Sequence, residues 1–332
     1  MPSPVREISV VLVSWRDDAD TLAAIASFAV ARGRVLADGP RTSLVVVDNG
    51  GGLSRDAVLA AWPDATVIVN DVNRGFGPAA NQGAAASGGD VLLFLNPDTR
   101  AVGEPFSGIA DAFDSRPDAV AVAPRLVDDA GGDSSGPLLA PPDRENQFTF
   151  QLRRLPRLAD DARELLLLDH LAPNNRGRRR FRYADRDPES PLEIEQAAGA
   201  ALAVRSDAFR KAGAFDESFV PAWFEDVDLC ARLAEHGAIV YWPAARFRHR
   251  GGASSRDLGY RRFLPIYYAN ALRYRRGRYG VAARLAYRAL LVGGMTLRLA
   301  ALPLRPRPPR TRRESAAAYL RVMALALGLV HR

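Results

Sequence analysis

Cysteine is nearly missing from this chain: Cys230 stands alone in 332 residues. An intrachain disulfide and a four-cysteine zinc site are both ruled out, and a reducing, cytosolic-type compartment is expected. Lysine is as scarce, with Lys211 the only one among 45 basic residues; Arg-favouring codons explain that better than chemistry does. Glycine is missing where a dinucleotide fingerprint needs it. The turn after the first apolar run reads SWRDD, GFGPAANQG has Ala80 at the third glycine position, and no P-loop occurs, which counts against a dehydrogenase or an NTPase. Long apolar runs are missing too. The N-terminal run is too short before Arg16 and Asp17 for a secretory signal, and the uncharged core at 289–297 falls well short of the roughly 20 residues that span a bilayer.

What is present is globular in composition: 48% hydrophobic and 25% charged residues, enough to bury a full core. The net charge of +7 conceals a division along the chain. From Leu258 onward there are 16 arginines and one acid, Glu314, whereas residues 1–257 hold 29 bases against 37 acids. A basic tail on an acidic body calls for an anionic partner, lipid headgroups or nucleic acid.

The first part alternates strand and helix patterns. ISVVLVS (8–14) reads as a fully buried strand, and SLVVVDN (43–49), ATVIVN (65–70) and VLLFL (91–95) as three further strands. Helical stretches at 17–31, 53–62 and 78–87 separate them. Near-continuous Val, Ile and Leu runs of this kind predict a parallel sheet covered on both faces. Ligands bind such sheets beyond the strands' carboxyl ends, which puts 15–17, 48–49, 70–77 and 96–98 on one rim. Residues 125–195 are the least readable, with an acid-and-leucine helix at 160–171 and a basic loop in NNRGRRRFRYADRDPESP. A strand is expected through 197–204, with Ser206 capping a short helix, then a helix from about Glu225 to Gly237 and a strand in AIVYWP.

Several carboxylates invite two readings. Asp98 ends a buried strand in Asn96-Pro97-Asp98 and is a natural turn residue, as is Asp48. A carboxylate at a strand tip can also bind a ribose or base, or an ion on a diphosphate. Glu225 and Asp226 open a helix, where acids are favoured, and Asp228 can pair with Arg232 at i,i+4. The same helix N-terminus would keep Asp226 ionised, as a general base must be. His249, among arginines, would tend to be neutral and able to bind metal.

Five ordered blocks now carry a resemblance: NRGFGPAANQG, LNPDT, GAALAVRSDAFRKAGAFDESF, FEDVDLCARL and HRGGAS. Over about 8–254 the chain resembles glycosyltransferase family 2, and within it the bacterial rhamnosyltransferase-like branch. The resemblance implies an α/β, A-type nucleotide-binding domain with a mostly parallel central sheet, a nucleotide-diphosphate sugar donor and inversion at the anomeric carbon. It assigns Asp226 as catalytic base. Ser14, Trp15, Asp48, Asn73, Arg74, Gly75, Asn81, Asn96 and Asp98 would bind the nucleotide sugar, and Gly199, Trp223 and Glu225 the acceptor. Asp98 and His249 would hold Mg²⁺ or Mn²⁺. Two positions depart from the pattern: Asn96 replaces the first acid of the metal motif, and SWR lacks the Asn that often follows the aromatic residue.

The expected organisation is a catalytic domain over 1–257, with a nucleotide half to about 124 and an acceptor half from about 125. A basic helical extension over 258–332 follows. In the extension Arg284, Arg288 and Arg298 gather on one side of a helical wheel, the pattern of amphipathic helices on an anionic membrane surface. Nucleic acid is not expected as a partner, because these arginines sit among leucines rather than stacking aromatics. The expected activity is transfer of a sugar, rhamnose from dTDP-rhamnose by the branch resemblance, to a glycan or lipid-linked acceptor at the inner face of the cell membrane. A UDP-sugar donor with a soluble acceptor, or a non-catalytic nucleotide-sugar or glycan-binding module, stays open as an alternative.

Overall fold

The structure, a computed structural model, describes residues 4–128, 147–251, 258–304 and 311–330. Most of the VDDAGGDSSGPLLAPP stretch, residues 252–254 of the HRGGAS block and the linker arginines at 305–310 lie outside the described residues. The chain divides into two compact units: Met1–Ser134, Glu145–Leu155 and Arg186–Arg250 in one, Ser135–Arg144, Pro156–Asp185 and Gly251–Arg332 in the other.

The first unit opens with β1 (Glu7–Ser14), α1 (Asp18–Arg32), β2 (Arg41–Asn49), α2 (Arg55–Ala61), β3 (Thr66–Asn70), α3 (Phe76–Ala85) and β4 (Val91–Leu95). It continues with β5 (Thr99–Val102), α4 (Pro105–Ser115), β6 (Ala119–Asp128), α5 (Gln147–Gln151) and β7 (Leu152–Arg153). Three short helices of the second unit follow: α6 (Leu158–Leu165), α7 (Leu168–Leu171) and α8 (Arg176–Phe181). The chain then returns to the first unit through β8 (Leu192–Ile194), β9 (Gln196–Ala197), β10 (Ala201–Arg205), α9 (Ser206–Lys211), α10 (Glu225–Leu233) and β11 (Ala238–His249).

The sheet order is β3-β2-β1-β4-β10-β6-β11-β5, with β8 also on β11. Six strands run one way, and β10, β5 and β8 run against them. The expected α/β architecture with a mostly parallel central sheet is present. β1 is buried along its length because helices cover both faces. On one side Ile8, Val10 and Leu12 join Ile25 and Phe28 of α1 and Phe106 and Phe113 of α4. On the other, α3 lies close enough that a Cβ on Gly83 would meet Val11 Cγ1 at 2.5 Å. Strand order reverses beside β1, whose neighbours are β2 and β4, so a crevice opens at their carboxyl ends.

Local chemistry adjusts the expected boundaries. The Ser54 side chain caps α2. Ser206 is the first residue of α9 rather than its cap, and its hydroxyl donates to the Gly89 carbonyl instead. The 160–171 helix breaks after Leu165, with Leu167 in the left-handed region at φ 61°. The expected basic loop contains α8, capped by Asn175, whose side chain accepts from the Arg178 amide at 2.8 Å.

The second unit completes itself with α11 (Tyr260–Arg278), α12 (Val281–Ala301), a 3-10 turn (Leu302–Leu304) and α13 (Arg312–Leu327). Among the described residues no helix is long and apolar enough to cross a membrane.

Candidate active site

Pro97 has no amide hydrogen to continue the ladder, so β4 ends in a turn closed by the Thr99 amide on the Asn96 carbonyl at 3.1 Å. The chain re-enters the sheet at Thr99, which is the register partner of His249 in the antiparallel β5–β11 pair. Asp98, one residue earlier, therefore lies against the end of β11, and the Arg250 amide donates to its carbonyl at 3.2 Å. Two residues 151 positions apart meet: His249 Nε2 stands 3.4 Å from Asp98 Oδ1, with both side chains buried.

Gln147 decides how that pair behaves. Its Nε2 donates to the His249 carbonyl at 3.2 Å, which leaves its Oε1 to accept from His249 Nδ1, also at 3.2 Å. Nδ1 is thereby the donor toward Gln147, and the Nε2 edge of the ring is turned toward the Asp98 carboxylate. Phe150 stacks on the ring at 6.2 Å and limits its rotation. Donors at about 2.1 Å on one tetrahedral or octahedral ion are about 3.0–3.4 Å apart, so the pair fits a divalent ion. Among the described residues no group of three or more His, Cys, Asp or Glu could enclose an ion. Mg²⁺ in particular takes one or two protein ligands and completes its shell with phosphate oxygens and water.

The β4–β10 register carries the site onward. The Asn96 amide donates to the Ala200 carbonyl at 3.0 Å, and the next residue back, Gly199, donates its amide to Asp226 Oδ2 at 3.0 Å. A Cβ on Gly199 would meet Asp226 Cβ at 3.4 Å, so the carboxylate lies directly on this backbone. Asp226 Oδ1 accepts from the Val227 amide at 2.8 Å. The helix terminus does not govern its acidity as expected. Burial raises the Asp226 carboxyl above the ordinary range, with the two amides and the Arg153 charge pulling it part of the way back. Glu225 is more deeply buried, and burial followed by the Asp226 charge pushes it well up; its Oε2 has no hydrogen-bond partner. Trp223 and Phe224, at φ 76° and 74°, form a strained approach to α10. Asp228 pairs with Arg232 at 2.7 Å.

The rim at the ends of β2 and β3 is built mainly from amides. Asn49 donates through Nδ2 to Asn73 Oδ1 and the Gly75 carbonyl, both at 3.1 Å, and its Oδ1 accepts from the Arg74 amide at 3.0 Å. The Gly75 amide donates to Asn73 Oδ1 at 2.8 Å. Asn73 and Arg74 are exposed on the loop so shaped. Asp48 is buried at the tip of β2 and takes the Leu53 amide at 3.2 Å. Trp15 packs over Gly50, where a Cβ would meet its Cδ1 at 3.2 Å. Two expected residues have other partners. Ser14 is fully buried with its hydroxyl on Thr21 at 2.8 Å, and the Asn81 amide is engaged by Phe215 and Glu217.

Sequence reasoning put Asn49 and Asp17 on the rim without giving them a role, and did not reach Gln147 or the charged knot beside the Asp98–His249 pair. In the knot Arg100 holds Asp20 at 3.0 Å, and Arg250 bonds Asp20 and lies 3.8 Å from Asp17. Burial, then the adjacent Asp20 carboxyl, lift Asp17 to about 6. Gln147 follows a featureless segment and carries no pattern. Cys230 is no nucleophile: burial pushes its thiol up to about 12.

The family model for glycosyl transferase family 2 matches residues 9–184, more than half of the chain. The chain belongs to glycosyl transferase family 2. This glycosyltransferase is 27% identical over 229 residues to an N-acetylglucosaminyl-diphospho-decaprenol L-rhamnosyltransferase of Mycobacterium tuberculosis, covering 65% of this chain and 69% of that one. It is 28% identical over 217 residues to a pre-mycofactocin glycosyltransferase of the same organism, across 64% of this chain and 38% of that protein. In fold it is similar to a mannosyltransferase of Pyrobaculum calidifontis solved with GDP-Man and Mn²⁺. The TM-score there is 0.52 at 13% identity, over 98% of this chain and 87% of that one.

Proposed function

We propose that this family 2 glycosyltransferase inverts configuration as it moves rhamnose from dTDP-rhamnose to a hydroxyl of a lipid-linked glycan, working at the inner face of an anionic membrane. The observation that carries the reading is the pair of chemistries aligned by one strand pairing. The Asp98–His249 couple and the Asp226 carboxylate flank the ends of β4 and β10. A relative acting on a decaprenyl-diphosphate acceptor supports the acceptor class and the sugar.

Asp98 and His249 would hold Mg²⁺ or Mn²⁺, whose positive charge would offset that of the departing diphosphate. Asp226 takes the acceptor hydroxyl's proton while that oxygen bonds to the anomeric carbon and the carbon–oxygen bond to the diphosphate breaks. Gly199 and Val227 amides hold the carboxylate in the orientation that accepts the proton. The loop shaped by Asn49, Asn73 and Gly75 receives the nucleoside, with Asp48 and Trp15 at its edge.

General-base catalysis contributes about 10²–10⁴ in rate. Asp226→Asn is therefore expected to lower kcat by that factor and leave the donor-induced thermal shift intact; a variant turning over at the wild-type rate overturns the role. Because burial raises Asp226, its proton-accepting form accumulates only above the ordinary carboxylate range of about pH 4. The acid limb of kcat/KM should lie above that value, and Arg153→Gln should move it higher. A panel of nucleotide sugars with Mn²⁺, scored for slow hydrolysis and thermal shift, identifies the donor without the acceptor.

A further inference from the structure

Two of the three arginines of the basic stripe of α12 face the wrong way for lipid headgroups. Arg288 Nη1 donates to the Ala326 carbonyl at 2.6 Å, at the carboxyl end of α13. Arg298 donates to the Leu165 and Glu164 carbonyls at the carboxyl end of α6. These guanidinium groups add donors to carbonyls at helix ends, so they tie the unit together from within.

The outward face of α12 is the opposite one, and it has no charge. Val281 (63% exposed), Leu285 (61%) and Leu297 (40%) share it with exposed Ala282, Ala289, Gly293, Thr296 and Ala300. A trough of about 650 Å³ runs beside it between α6 and α12, walled by Leu158, Ala162, Leu166, Ala286, Leu290 and Gly293. Leu168 and Leu171 extend the apolar surface along α7. Of fourteen large hydrophobic residues exposed among the described residues, ten belong to this unit. The same unit holds 25 bases against 8 acids, whereas the catalytic unit holds 20 against 30. Exposed arginines such as Arg273, Arg276 and Arg321 remain available for anions.

We infer that the outer face of α12, with the α6–α12 trough, inserts among the acyl chains of an anionic leaflet. The inference rests on the membrane side of the proposed function and specifies its contact. Charge complementarity commits the face to lipid: an uncharged apolar strip on a strongly basic unit suits hydrocarbon beneath anionic headgroups. Attachment is then hydrophobic first and electrostatic second, the reverse of what the arginine pattern alone suggests.

Co-sedimentation of the full-length protein with phosphatidylglycerol/phosphatidylcholine vesicles, and with phosphatidylcholine alone, tests this. Binding to the anionic vesicles should persist in part at high salt, where headgroup attraction is screened. Leu285→Asp and Leu297→Asp should each weaken it about 10- to 100-fold, the factor expected for one buried aliphatic side chain. Both should keep the wild-type donor-induced thermal shift, which reports folding and the catalytic site independently. In a separate variant, Leu297→Trp should show blue-shifted emission on the vesicles and quenching by brominated acyl chains. If both Asp variants bind like wild type, this face is not the contact and the membrane reading stands without it. If wild type binds no vesicle, the membrane reading falls too. A lipid-free dimer that Leu285→Asp dissociates gives the face to a second copy and overturns the proposal.

Discussion

At the scale of single residues, the pair proposed to hold the ion depends on a third side chain. Asp98 and His249 would supply the donors, with Gln147 on Nδ1 setting the orientation of the ring. Gln147→Leu removes the acceptor on Nδ1, so the imidazole can turn or change tautomer. The loss expected for such an outer partner is about 10- to 100-fold in metal affinity. Mn²⁺ binding followed by electron paramagnetic resonance measures it directly, without turnover. Gln147→Glu keeps an acceptor on Nδ1 and makes the imidazole a better donor, so it should bind Mn²⁺ at least as tightly as wild type. Equal weakening in both variants would make Gln147 a packing residue only. Asp98 and His249 were legible because each stands in a recognisable block; Gln147 was not, because nothing about a glutamine after a Pro-rich stretch marks its partner.

At the scale of elements, two glycines separate strain from collision. Gly75 sits at φ 96°, and a Cβ there would meet Val220 Cγ1 at 2.9 Å and the Pro221 carbonyl oxygen at 3.0 Å. The Phe76 amide donates to that carbonyl at 2.7 Å, so the loop at 73–75, proposed to receive the nucleoside, is docked on the segment leading to Asp226. Gly51, at φ 74°, has open space around it. Gly75→Ala should cost about 1–3 kcal/mol or more, lower Tm by several degrees and weaken the donor-induced shift. Gly51→Ala carries the backbone strain alone and should do less on both measures. β1, β2 and β4 were readable because buried strands are continuous Val, Ile and Leu runs; β3 carries such a run too, although it is the edge strand and Val69 is exposed. β5 and β7–β9 were not, since two to four residues set no period and their pairing comes from long-range partners. The inward turn of Arg288 and Arg298 was hidden for a similar reason: a wheel gives the side on which residues gather, not what the neighbouring helices offer there.

At the scale of the whole molecule, the chain leaves the catalytic unit at Leu155, returns at Arg186, and leaves again after Arg250. The second unit is therefore not a simple tail. α6 packs on α12, where Gly294 admits the backbone of Leu165 so closely that a Cβ would lie 2.7 Å from its carbonyl oxygen. Leu165 is buried in that contact, and Arg298 completes the carboxyl end of α6. A chain stopped at residue 250 would keep α6–α8 and remove α12, on which α6 packs. Exposing Leu165 alone costs about 1.5–3 kcal/mol, and the stripped α6 face joins the already exposed Leu166, Leu168 and Leu171 in one apolar patch. The expected product is aggregated protein on size exclusion, with the catalytic sheet intact by circular dichroism. A monodisperse, soluble chain of 1–250 would mean that α6–α8 find other cover and that the second unit is an appendage. Membrane attachment is for this reason better tested by substitutions on the outer face of α12 than by truncation, which removes the lipid contact and the packing together.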